Sequence, residues 1–154
     1  MTERSSTSHN HQWYADGLRF TCTQCGNCCT GPAGYVWITD DDIAQMAKHV
    51  KLGQRTFVDR YARKLRGRWS LVEHKTEHGY DCIFLDRKSE PGKALCSIYG
   101  ARPAQCRTWP FWPENLTTPQ AWEDVKRQTP CPGMDSGQRV PVTQIRIMRD
   151  TTPE

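Results

Sequence analysis

Apolar residues at Ile43, Met46, Ala47 and Val50 recur at three- and four-residue steps, the period of one helix face. Thr39 precedes this run and Asp40, Asp41 and Asp42 fill its first turn, which predicts a capped helix with acidic groups at its positive end. Gly53 is placed to end it. A second stripe, Phe57, Val58, Tyr61, Ala62 and Leu65, predicts another helix opened by Thr56. Beyond Gly67 the period changes. Residues 69–74 read as a strand, Thr76 to Gly79 as a turn, and residues 80–85 as a returning strand. Pro103 is well placed to open a short helix, and the Thr118-Pro119 pair another. Pro110 and Pro113 stop the first; Pro130-Cys131-Pro132-Gly133 stops the second. The tail fits two periods. Ile145 and Ile147 alternate as in a strand, whereas Val142, Ile145 and Met148 fit a helix.

The expected architecture is therefore a small α+β or irregular, metal-stabilised domain. Two or three short helices and a short β-hairpin would surround a cysteine-lined centre. Residues 1–12 are polar and are expected to be a flexible leader; residues 13–150 are expected to form a single domain. His9 and His11 fall in that leader and are read as tail residues, not ligands.

Cysteine changes the picture most. Cys22, Cys25, Cys28 and Cys29 put four sulfurs within eight residues, with Gly26 permitting a tight turn between them. Cys82, Cys96, Cys106 and Cys131 supply four more from separate segments. Two-residue gaps let a chain curl its thiolates around one metal centre. Adjacent side chains diverge from the backbone, so Cys28 and Cys29 are expected to serve different metal atoms, or one of them to remain unligated. Two readings stay open: two four-sulfur sites, or one iron–sulfur cluster held by Cys22, Cys25, Cys28 and a remote sulfur such as Cys131. An iron–sulfur cluster is the expected cofactor, with zinc or iron ions as the alternative.

The apolar share of 36% is lean for 154 residues, so bound metal is expected to supply part of the folding energy. The formal charge of +4 argues weakly for a polyanionic partner, because metal-bound thiolates would lower it. Arg60, Arg63, Lys64, Arg66 and Arg68 gather in one stretch and read as a solvated face. Nucleic acid is not the expected partner; the partner is an unknown protein or small molecule. No run approaches the roughly 18 apolar residues of a membrane span, and the start lacks an apolar leader core. The expected location is the cytoplasm, where thiolates persist in preference to disulfides.

The motifs Cys22-x-x-Cys25-Gly-x-Cys28-Cys29, Cys82-Ile-Phe-Leu, Cys96-Ser-Ile-Tyr99, Arg102-Pro103-x-x-Cys106-Arg107-x-x-Pro110-Phe111 and Cys131-Pro132-Gly133 span about residues 20 to 135. Together they resemble the YkgJ-type cysteine-cluster proteins, described as zinc- or iron-chelating domains. The cluster is also similar to that of the larger flagellin lysine N-methylases. The resemblance implies a metal or iron–sulfur centre ligated by the eight cysteines. Arg102 and Arg107 match its arginine positions, where they would neutralise the thiolates, hold an anionic ligand or pair with acidic residues. Trp109, Phe111 and Trp112 would cover the centre. The chain lacks the methylases' large additional region and an evident glycine-rich motif for S-adenosylmethionine, which speaks against self-contained methylation.

Three functions fit these residues: an electron carrier, sensor or accessory protein; a zinc-stapled interaction module; or a metal-dependent modifying enzyme, for which no catalytic residue is evident. His74 and His78 flank the expected turn and are read as surface residues.

Overall fold

A computed structural model describes residues 12–153. The expected leader, with His9 and His11, lies outside the described residues apart from its last position. The expected architecture is corrected. Among the described residues there are five α-helices and four separate small antiparallel sheets, instead of two or three helices around one hairpin.

In chain order the elements are strand β1 (Leu18–Phe20), a 3-10 turn (Asn27–Cys29), β2 (Trp37–Ile38), helix α1 (Asp40–His49), α2 (Gln54–Tyr61), β3 (Ala62–Leu65), β4 (Arg68–Leu71), β5 (Glu73–Thr76), β6 (Gly79–Cys82), β7 (Leu85–Asp86) and β8 (Leu95–Cys96). A second 3-10 turn (Tyr99–Ala101) leads to α3 (Ala104–Thr108). A third (Pro113–Leu116) is followed by α4 (Pro119–Gln128), β9 (Met134–Val140) and α5 (Val142–Thr151).

Local chemistry accounts for most boundaries. The Thr39 hydroxyl accepts from the Asp42 amide while the Asp42 carboxylate accepts from the Thr39 amide, a reciprocal cap that starts α1. Thr118 caps α4 through the Ala121 amide, with Pro119 in the first turn. The second helix departs from expectation at both ends. It starts after Gly53 instead of Thr56, and it ends at Tyr61, although the apolar stripe continues to Leu65. Ala62–Leu65 leaves the helix because its backbone pairs with Arg68–Leu71, and tertiary pairing overrides the helical period. The tail is a helix, not a strand, and buries Ile145.

Two hydrophobic cores form. One gathers Ile43, Met46, Phe57, Leu71, Phe84 and Ile98 under α1 and α2. The other gathers Tyr14, Trp109, Phe111, Trp122, Met134 and Ile145 around α4, β9 and α5. Cysteines flank both: Cys82 and Cys96 pack on the first, Cys131 on the second.

Within the basic stretch, Arg60 and Arg66 are exposed, while Arg63, Lys64 and Arg68 are engaged locally. Arg63 donates to the Gly34 carbonyl at 2.9 Å and faces Glu73 at 3.6 Å. The Arg68 guanidinium lies 4.2 Å from the Trp37 ring centroid, and the Lys64 ammonium 5.5 Å from that of Trp69. Among the described residues no helix is long and apolar enough to cross a membrane.

Candidate metal centre

The cysteine loop is tied down at three points. β1 pairs with β9, and the Thr21 amide donates to the Gly133 carbonyl at 3.3 Å. Thr21 lies so close to Gly133 that a side chain there would collide with the Thr21 carbonyl. Gly26 adopts φ 76°, and a Cβ on it would sit 2.6 Å from that of Ala94. Only glycine meets both demands at no cost. Asn27 then donates to the Pro130 carbonyl at 2.6 Å, holding the loop beside Cys131. Last, the Thr30 hydroxyl donates to Asp81 at 2.5 Å, anchoring the residue after Cys29 to the residue before Cys82.

Asp81 is 1% exposed. Its carboxylate accepts two bonds from Arg87, at 2.7 and 3.0 Å, which hold its pKa down at about 2. Charge-assisted bonds of this kind are worth more than neutral ones. Asp81→Asn is therefore expected to cost about 2–3 kcal/mol in urea unfolding at neutral pH. An unchanged midpoint would remove Asp81 from this anchoring role.

The remote cysteines arrive from separate elements. Cys82 ends β6, Cys96 ends β8 opposite Leu85, and Cys106 lies within α3. Cys22, Cys28, Cys29, Cys82, Cys96 and Cys106 all line one cavity of about 60 Å³. Phe84, Leu71 and Ile98 contribute its wall from the first core, Trp109 from the second, and Phe20 from β1. Cys25 and Cys131 do not line it. They lie near enough to each other for a Cys25 thiolate to hinder ionisation of Cys131.

The expected divergence of Cys28 and Cys29 is not observed. Their sulfurs are 3.8 Å apart, because the residues sit on a 3-10 turn that opens from the left-handed Gly26. The hydrogen bond between the two sulfurs lowers the Cys28 pKa to about 7 and pushes that of Cys29 far up. Burial raises Cys82 to about 11 and also raises Cys96 and Cys106, with neighbouring sulfurs adding to the effect. Arg102 opposes it at Cys96 and Cys106.

The sequence profile of the CxxCxxCC family matches residues 21–132, nearly three quarters of the chain. This chain belongs to the CxxCxxCC family. The family is described as a "putative zinc- or iron-chelating domain". No solved structure matches the fold.

The donor chemistry of this CxxCxxCC protein suits the metals in its family's description. The cavity offers six sulfurs and no His, Asp or Glu, a soft set suited to zinc, iron or iron–sulfur centres. The cysteines are free thiols. Trp109 Nε1 is buried and makes no well-formed hydrogen bond, yet it lies near enough to Cys131 to lower that thiol's pKa against the larger effect of burial. An indole N–H so placed would donate to a metal-bound sulfur. Spacing is the counterweight. Among the described residues no three His, Cys, Asp or Glu side chains converge tightly enough to hold an ion. The sulfurs form a wall around a space, not a closed shell around a point.

The other sequence-predicted residues are distributed differently. Arg102 lines the cavity, stacks on Tyr99 at 3.8 Å and donates to the Tyr99 carbonyl at 3.0 Å. Arg107 does not line it; its guanidinium lies 3.7 Å from Asp42. Trp112 also lies outside the cavity, with its indole N–H on the Gln105 carbonyl at 2.8 Å. His78 lies 3.4 Å from Glu77 at the hairpin turn. The sequence reading missed Arg139, Gln138 and Gln144, which line a second cleft beside the cysteines. β9 carried no usable signal, since only Met134 on it is buried and the rest does not alternate.

Proposed function

We propose that this chain binds an iron–sulfur cluster in its cysteine-lined cavity and works as an electron carrier, sensor or accessory protein. One observation carries the reading: six cysteines, spread from residue 22 to residue 106, border a single space without closing on a point. A polynuclear cluster presents several separated metal atoms, so it suits such a wall better than a lone ion does. When bound, the cluster would supply one-electron transfer or oxygen sensitivity.

The chain's own residues would set the conditions. Phe20, Phe84 and Trp109 place apolar surface beside the sulfurs, and burial and hydrogen bonding to sulfur tune a centre's potential. Arg102 supplies positive charge where thiolates must form. Because burial favours the protonated thiols, loading is coupled to proton release.

A second reading rests on the Cys28–Cys29 separation. Two thiolates about 2.3 Å from a tetrahedral ion lie about 3.8 Å apart, which the pair already matches. A zinc ion held there would staple the fold and serve an interaction module.

Anaerobic purification with metal and acid-labile sulfide counted per chain separates the two readings. Iron and sulfide in equal, multiple amounts are expected. Zinc without sulfide would overturn the iron–sulfur reading and leave the staple.

A further inference from the structure

We propose that the cleft bordered by Tyr99, α3 and β9 binds a small ligand through a carboxylate or phosphate group. The cleft measures about 330 Å³, within the size range of small-molecule sites. Arg102, Arg107 and Arg139 line it, joined by the amides of Gln138 and Gln144, and no Asp or Glu does. Three guanidinium groups facing one concavity repel each other unless an anion enters.

Their existing partners leave that charge largely unanswered. Arg139 donates to the Asp16 carbonyl at 2.6 Å, a neutral acceptor. Arg102 is held by the Tyr99 ring and carbonyl, also neutral. Arg107 approaches a single carboxylate, Asp42, at 3.7 Å, and that carboxylate already accepts from the Thr39 and Ala104 amides. Guanidinium forks match the paired oxygens of a carboxylate or phosphate.

The cleft shares Phe20, Cys22, Tyr99, Arg102 and Trp109 with the cysteine cavity. An anion seated here would thus hold the rest of its molecule against the thiol wall. The inference does not rest on the cluster. Arg107 and Arg139 line the outer cleft and not the cysteine cavity, and of the eight cysteines Cys22 alone borders that cleft, too few to answer three guanidinium groups.

Isothermal titration of the purified full chain with inorganic phosphate, and separately with malonate, tests this at low ionic strength. Saturable one-to-one binding of at least one probe is expected below about 10 mM. The tighter probe identifies the headgroup class. Arg107→Gln and Arg139→Gln should each weaken binding about tenfold with an unchanged melting temperature. Arg139→Lys, which keeps the charge and loses the fork, should fall between. Arg127→Gln, an exposed change on α4 outside the cleft, should leave binding intact. No saturation by either probe would overturn the proposal. So would binding that survives both cleft variants, or an equal loss in Arg127→Gln.

Discussion

Cys106→Ser is expected to lower metal affinity by at least about 100-fold, so that the purified variant holds little metal. The sulfur comes from α3, whose first turn is formed by the Cys106 and Arg107 amides donating to the Pro103 carbonyl. Serine is nearly isosteric and has a similar helix propensity, so α3 should persist. What changes is the donor, from a soft thiolate to a hydroxyl that binds zinc or iron poorly. Even the loss of an outer partner of a metal ligand costs 10–100-fold, and a direct ligand should cost more. Wild-type protein stripped by a chelator provides the comparison. Its melting temperature should match that of the variant, because both lack the same metal-derived stability. Full metal content in Cys106→Ser would remove this sulfur from the site.

The second large effect is on stability. Trp122 is 2% exposed and lies nearly parallel to Phe111, with ring centroids 5.8 Å apart. Phe111 in turn meets Phe20 edge to face at 5.9 Å, and Phe20 lines the cysteine cavity. The indole N–H donates to Asp135 at 3.0 Å, and Lys126 meets the same carboxylate at 2.7 Å. Trp122→Ala removes both stack and bond and leaves a void, at a cost of about 3–5 kcal/mol. Domains of this size have only about 5–15 kcal/mol in total, so much of the margin would go. The variant should melt well below wild type and lose metal on dilution. Trp122→Phe keeps a ring on Phe111 and loses the bond, at about 1–2 kcal/mol. Equal melting temperatures for the Ala variant and wild type would show that the second core does not depend on this residue.

Legibility from the sequence followed the range of the interactions. The Thr39 cap, the Thr118-Pro119 start and the turn between Thr76 and Gly79 are local chemistry, and each stands where the residues indicated. The end of α2 was not readable, because the stripe through Leu65 keeps a helical period that only pairing with Arg68–Leu71 breaks. β9 was invisible for a similar reason: its partner, Leu18–Phe20, lies more than a hundred residues away, and its exposed faces show no alternation. The importance of the cysteines was plain, yet their division was not. Cys25 leaves the shared cavity although it sits inside the dense motif, while Cys106 joins it from a distant helix. Cys28 and Cys29 meet because of a 3-10 turn that the adjacency of two residues does not reveal. Arg139 reaches the outer cleft only through the β1–β9 register, in which it faces Arg19.

X-ray absorption at the metal edge of the anaerobically isolated protein tests the central claim most directly. A polynuclear centre in the cysteine-lined cavity predicts a first shell of sulfur at about 2.3 Å, followed by a short metal–metal distance. A first shell of nitrogen or oxygen, or a sulfur shell with no neighbouring metal, would contradict it.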